Sequence, residues 1–220
     1  MADRDPAQVR IADSFETVSA GEWDPLAGQN DPFLSHAFLS ALETSGSIGG
    51  TTGWSPLPLL VTEGGHAVAA APAFLKTHSQ GEYVFDHSWA DVWHRAGGDY
   101  YPKLQIAVPF TPVVGRRLLG SEPELLLAGA EAVTVQNSLS SVHITFCTAE
   151  EAALAEERGW LVRHGIQYHF LDRGYGDFDG FLAACSSRKR KTIRKERAAA
   201  REGLTFRHLR GSEKIGRAHV

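Results

Sequence analysis

This 220-residue sequence predicts a mixed α/β fold, a sheet with helices packed on it, and three observations lead there. Segments with apolar residues at every second position alternate along the chain with segments whose apolar residues recur every three or four. A Gly64-Gly65 pair separates two β-like runs, as a tight hairpin turn requires. The composition, 43% hydrophobic and 22% charged, suits a chain that buries its own core and excludes collagen-like and low-complexity classes.

The elements follow in order. Residues 9–18 alternate loosely and read as an opening strand. Residues 31–42 place Phe33, Leu34, Ala37, Phe38, Ala41 and Leu42 at helical spacing. A hairpin runs over 57–62, turns through Glu63-Gly64-Gly65 and returns over 66–76. Residues 83–85 continue as a short strand, and 88–96 form a short helix ended by Gly97-Gly98. Residues 104–114 are β-rich, but Pro109 and Pro112 cannot donate to a ladder, so the strand is expected to bulge or splay there. Ser121-Glu-Pro-Glu124 reads as a capping box opening a helix to about Asn137. Then come a strand (141–146), a helix capped by Thr148 (148–158) and a strand (160–172). Helices over 177–185 and 187–202, the second capped by Ser187 and stopped by Gly203, precede a further strand from 204 to 209.

Charge divides the chain. Residues 1–180 carry 10 Lys and Arg against 23 Asp and Glu, a net −13, whereas 181–220 carry 12 against 3, a net +9. The asymmetry predicts two units, 1–175 and the opening of a second over 176–214. Residues 215–220 are expected to be a non-native tail on a truncated reading frame, because they can be encoded by the start of a common sequencing adapter. Two cysteines 38 positions apart, Cys147 and Cys185, exclude a disulfide framework and a cysteine zinc cage. Cys185 is expected to be a packed thiol. No apolar run reaches the ~18 residues of a membrane span, and the polar N-terminus is no signal peptide, so a soluble, cytoplasmic protein is expected.

Three constellations could carry chemistry. Positions 83–110 hold seven of the 21 aromatic residues, interleaved with polar groups, which suits either a ligand pocket or an aromatic core. Within it Asp86, His87 and Asp91 are candidate bases for an amine proton. His87, Asp91 and His94 share one helical face, but without a matched further ligand no metal is assigned. The loop 114–121, with Arg116 and Arg117, enters a helix and could cradle phosphate, although Glu122 and Glu124 oppose an anion there. The third is the basic helix from Ser187, whose eight positive charges against Glu196 favour an anionic partner over simple solvation.

Glu82-Tyr-Val-Phe-Asp-His-Ser-Trp-Ala-Asp91, Tyr101-Pro-Lys-Leu-Gln105, Val108-Pro-Phe-Thr-Pro112 and Arg190-Lys-Thr-Ile-Arg-Lys-Glu-Arg197 together resemble the FemAB-like peptidoglycan biosynthesis/recognition family of N-acyltransferases, over nearly the whole chain to about Arg210. The resemblance implies tandem acyltransferase lobes of the GCN5-related (GNAT) type, each a mixed sheet flanked by helices; with the second lobe truncated, an inactive fragment is one expectation. It implies transfer of an acyl or aminoacyl group to a primary amine, as Fem relatives do on a peptidoglycan precursor, with acyl-coenzyme A or aminoacyl-tRNA as donor. The acceptor, a small molecule or peptide, is expected against Tyr83, Asp86, His87, Trp89, Tyr101, Lys103, Phe110 and Thr111. Donor phosphates are expected on Arg116, Arg117, Arg190, Arg194 and Lys195. Where GNAT enzymes carry R/Q-x-x-G-x-G/A, this chain has Arg117-Leu-Leu-Gly120-Ser-Glu122, and the closing Glu counts against coenzyme A in this lobe. Two rival readings are a non-catalytic module recognising cell-wall precursors and a tRNA-binding protein acting through the basic helix.

Overall fold

A computed structural model describes residues 7–208, in two compact units, Met1–Gly165 and Ile166–Val220. In the first unit β1 (Gln8–Ile11) leads through a 3-10 turn to α1 (Ala20–Ala27) and α2 (His36–Thr44). Then come β2 (Trp54–Pro56), β3 (Leu59–Glu63), β4 (His66–Ala71), β5 (Ala73–Lys76), α3 (His87–Arg95), β6 (Lys103–Ile106), β7 (Leu119–Gly120), α4 (Pro123–Gln136), β8 (Val142–Ile144) and α5 (Ala149–Glu157). The second unit contains α6 (Phe178–Ala184) and α7 (Ser187–Arg201).

The strands form two sheets, ordered β1-β3-β4-β7 and β2-β5-β6-β8. All pairings are antiparallel except β6 with β8. Proline explains the division. Pro58 separates β2 from β3 and Pro72 separates β4 from β5, and neither has an N–H for a ladder. Their carbonyls still accept, Pro58 from the Ala12 amide and Pro72 from the Ala107 amide, both at 3.0 Å, so one long hairpin feeds both sheets. Gly64 and Gly65, at φ 56° and 81°, close its turn as expected.

Alternation along these strands fills two cores. Leu60, Ala70, Phe74 and Leu119 pack with Phe15, Trp23, Leu34, Leu39 and Trp54, around α1 and α2. Leu59, Val61, Ala69, Leu104 and Ile106 pack with Leu126, Leu127, Ala130 and Val133 of α4. Helices therefore cover both sides of the strand layer. Sequence periodicity missed α1, an eight-residue helix capped by Ser19 and pinned by Trp23, whose indole N–H donates to the Leu34 carbonyl at 2.8 Å.

Several expectations are corrected. Ser121 and Glu124 form no capping box: Glu122 occupies the N-cap without a side-chain bond, Pro123 starts α4, and the Ser121 amide is taken by the Val68 carbonyl. The true capping box lies at Thr148 and Glu151 of α5. Ser186, one position before Ser187, caps α7. Residues 83–85 are not a strand, since Tyr83 and Phe85 take left-handed backbone conformations. The β-rich stretch from 104 stays in a ladder only to Ile106, ahead of both prolines. Residues 160–172 pair with no strand, and Leu161 and Tyr168 are 99% and 96% exposed, because no neighbouring strand offers them a ladder. Residues 204–208 likewise form no strand; position 209 and the expected 215–220 tail lie outside the described residues.

Candidate functional site

Strands β5 and β6 set two lysines side by side. Lys76 and Lys103 are register partners and both are fully buried. A buried ammonium must be paired, and the chain between β5 and α3 supplies the partners. Lys103 Nζ donates to Ser79 Oγ at 3.1 Å, Glu82 Oε2 at 2.9 Å and Asp86 Oδ2 at 3.0 Å. Lys76 Nζ donates to the Gln80 carbonyl at 3.2 Å and lies 3.7 Å from the centre of the Trp54 ring. The Trp54 indole N–H donates to the same carbonyl at 3.0 Å. Residues 79–86 are thus a strap held from beneath by two cations.

Two tyrosines separate this network from solvent. The Tyr100 hydroxyl donates to Asp86 Oδ2 at 2.9 Å, and the Tyr101 hydroxyl shares a 2.6 Å hydrogen bond with Ser79 Oγ. On their outer side lies a groove of about 280 Å³ lined by Ala90, Asp91, His94, Asp99, Tyr100 and Tyr101. Alongside, His143 Nε2 of β8 shares a 2.9 Å hydrogen bond with Ser141 Oγ, and its ring meets Tyr100 edge-on.

Burial and pairing set the protonation states. Burial raises the Asp86 carboxyl, but hydrogen bonding from Ser79 and the charge and hydrogen bond of Lys103 outweigh it and hold Asp86 below the usual range. Burial pushes Glu82 up, against the pull of Lys103. Burial lowers Lys76 to about 8. Burial, then the hydrogen bond to Asp86, raises Tyr100, so its hydroxyl is a committed donor. Burial, then the Lys103 charge, lowers His143 to about 4, which leaves a neutral imidazole. Among the described residues three buried side-chain acceptor atoms have no hydrogen-bond partner: Glu82 Oε1, Asp86 Oδ1 and Gln105 Oε1.

The expected site residues separate into groups. Asp91 and Tyr101 line the groove. Asp86 and Lys103 lie behind the tyrosine wall, so neither contacts a ligand in the groove directly. Tyr83, His87, Trp89 and Phe110 are exposed outside it, and Thr111 donates to the Pro109 carbonyl at 3.0 Å. The Phe110 ring rests on Gly81, where a Cβ would approach to 2.6 Å.

The phosphate candidates are also redistributed. Arg117 is buried, with its guanidinium donating to the Thr145, Arg116 and Val113 carbonyls, so it clips backbone rather than facing an anion. Arg190 likewise donates to the Leu182, Ala183 and Cys185 carbonyls at the end of α6. Arg116 is exposed and lines a second depression of about 210 Å³ that also holds Asp31. Arg194, 3.6 Å from Asp179, and Lys195 are exposed on α7. Burial raises the Cys147 thiol. Among the described residues no group of three His, Cys, Asp or Glu side chains is arranged to hold a metal, and no helix is long and apolar enough to cross a membrane.

Sequence reasoning assigned no site role to Lys76, Ser79, Glu82, Asp99, Tyr100, Gln105, Ser141 or His143. A visible signal existed for two of them: Lys76 and Gln105 stand in short apolar strands where a polar side chain has no obvious way out. Most of the site comes from the motifs quoted above, with Glu82, Asp86 and Asp91 from the first and Tyr101, Lys103 and Gln105 from the second. No curated protein and no solved structure matches the chain. The FemAB-like family model, described as peptidoglycan biosynthesis/recognition, matches residues 14–219, nearly the whole length. The chain belongs to the FemAB-like family.

Proposed function

We propose that the protein transfers an acyl or aminoacyl group to a primary amine of a peptidoglycan precursor, using GNAT-type chemistry. The observation that carries this reading is the groove, whose lining brings Asp91 and Asp99 together with Tyr100 and Tyr101. Carboxylates and aromatic faces together suit an incoming ammonium group. The reaction needs no covalent enzyme intermediate. The bound ammonium first releases one proton to solvent; the neutral amine nitrogen then attacks the donor carbonyl and gives up a second proton to Asp91, and the bond to the sulfur or oxygen leaving group breaks as that group takes this proton. Tyr100 and Tyr101, anchored through Asp86 and Ser79, fix the groove wall while this happens. Taken by themselves, the exposed basic residues of α7, Arg194 and Lys195 among them, suit a phosphate-bearing partner such as coenzyme A or tRNA.

The test incubates the full chain with acyl-coenzyme A or aminoacyl-tRNA and a muropeptide bearing a free amine, and reads amide formation by mass spectrometry. Product should form, and the double variant Asp91→Asn/Asp99→Asn should raise the acceptor KM roughly tenfold or more. Absence of product together with acceptor affinity indifferent to that variant would end the reading. Acceptor binding lost in the variant, with no turnover by any donor, would favour a recognition module, which the family description also names.

A further inference from the structure

One buried ammonium governs both tyrosines of the groove. Lys103 Nζ has three N–H groups and gives them to Ser79 Oγ, Glu82 Oε2 and Asp86 Oδ2. Tyr100 donates its hydroxyl proton to that same Asp86 oxygen, and Tyr101 is bonded to that same Ser79 oxygen. The Nζ also lies 5.2 Å from the centre of the Tyr100 ring and 5.6 Å from that of Tyr101. A single chain of hydrogen bonds therefore runs from Tyr100 through Asp86, Lys103 and Ser79 to Tyr101, with the cation at its middle. Counting protons gives the chain a direction. Ionised Asp86 only accepts, so the proton of its bond with Tyr100 is the phenol's. Ser79 has one proton, which it gives to the Asp86 carboxylate. Lys103 has no lone pair, so it adds a donor at Ser79 Oγ and accepts none. The proton of the bond between Ser79 and Tyr101 is then Tyr101's own. Both hydroxyls donate inward, and neither has a proton left for a ligand.

We propose that Lys103 is a positioning residue which, by turning both hydroxyl protons inward, makes the groove select a head group that only donates, a primary ammonium, over a carboxylate. The inference rests on the groove taken above as the acceptor site, and not on turnover. Besides the two tyrosines that groove is lined by Ala90, Asp91, His94 and Asp99. Two of these are carboxylates and none is Lys or Arg, so His94 is the one lining side chain with a donor to offer. An ammonium finds acceptors there. A carboxylate meets two like charges, and the hydroxyl protons that could offset them are already committed to Asp86 and Ser79. Lys103 touches no ligand in the groove, because it is fully buried behind the tyrosines, and it acts only through Asp86 and Ser79.

Two readouts on the full chain test this. With tyrosine carrying carbon-13 at Cζ, a slowly exchanging hydroxyl splits its carbon signal in mixed H2O and D2O, whereas the exposed Tyr168 gives a single line. Tyr100 and Tyr101, assigned with Tyr100→Phe and Tyr101→Phe, should both be split in the ligand-free chain, and Lys103→Met should collapse both splittings together. Ser79→Ala keeps Lys103 paired with both carboxylates and so spares the fold; it should collapse Tyr101 alone. The second readout titrates n-butylammonium and butyrate. The parent chain should bind the ammonium roughly tenfold or more the tighter, and Ser79→Ala should narrow that ratio about threefold by freeing the Tyr101 proton for the carboxylate. Mere loosening of the groove would weaken both probes and leave no gain for butyrate. A single line for either tyrosine in the parent, or a Tyr101 signal still split in Ser79→Ala, overturns the positioning role. Equal affinity for the two probes, or a ratio that Ser79→Ala leaves unchanged, overturns the selectivity. A chain that passes both readouts yet forms no amide with any donor would end the transferase reading and leave this inference standing.

Discussion

Lys103 Nζ spends its three donors on Ser79, Glu82 and Asp86, and among the described residues no other cation comes as close to those two carboxylates, Lys76 reaching Glu82 only at 4.0 Å. Lys103→Met should therefore leave a buried carboxylate uncompensated and lower unfolding stability by about 3–5 kcal/mol, read from urea denaturation. His143 gives a pH signature. Its folded value lies near 4 against an ordinary 6.5, so between those values the unfolded chain binds more protons. The contribution is complete above pH 6.5 and is lost as pH falls towards 4. His143→Gln should flatten that part of the stability profile, and a profile as steep as the parent's would show that His143 is not the group responsible. At this scale the sequence was partly legible. Asp86 and Lys103 stand out by type, but the sequence reading places both against the acceptor, whereas both are buried. Only packing reveals that Tyr100 and Tyr101 stand between them and solvent.

At the scale of elements, the Glu151 side chain does more than close a capping box. Its Oε1 accepts from the amides of Arg117 and Leu118, and its Oε2 from Thr148 at 3.0 Å, which ties α5 to the segment entering β7. Glu151→Ala removes three acceptor contacts at once and should lower stability by about 2–4 kcal/mol, visible as a fall in Tm. Gly81 has a comparable local role. At φ 81°, beneath the Phe110 ring, it admits no Cβ. Gly81→Ala should displace Phe110 and loosen the strap, and faster amide exchange over residues 79–86 would report it. The helix with a strong end signal, α5, is readable from its Thr148 cap, whereas the Asp177 cap of α6 emerges only from the structure. α1 is not readable, because its eight residues with Pro25 near the end carry little apolar period and depend on Trp23 reaching Leu34.

Across the whole molecule the chain forms two units, and Leu161, Tyr168 and Phe170 near their boundary are exposed. Chymotrypsin should cut first near Leu161, Tyr168 or Phe170, leaving a resistant fragment ending close to Trp160, as limited proteolysis with mass spectrometry would show. Degradation of the core at the same rate would contradict the division.

Periodicity, turn glycines and caps were enough to determine from the sequence that this is a mixed α/β protein with a basic helix near its end, because each depends on neighbours within a few positions. The motif residues likewise identified the family. Tertiary structure alone decided that Pro58 and Pro72 divide the strands between two sheets. It also decided that residues 160–172, alternating as a strand should, remain outside any ladder, and that α3 turns its rings to solvent. A strand needs a partner and a helix face needs something to pack against, and both are supplied by residues far away in sequence, which no local pattern records.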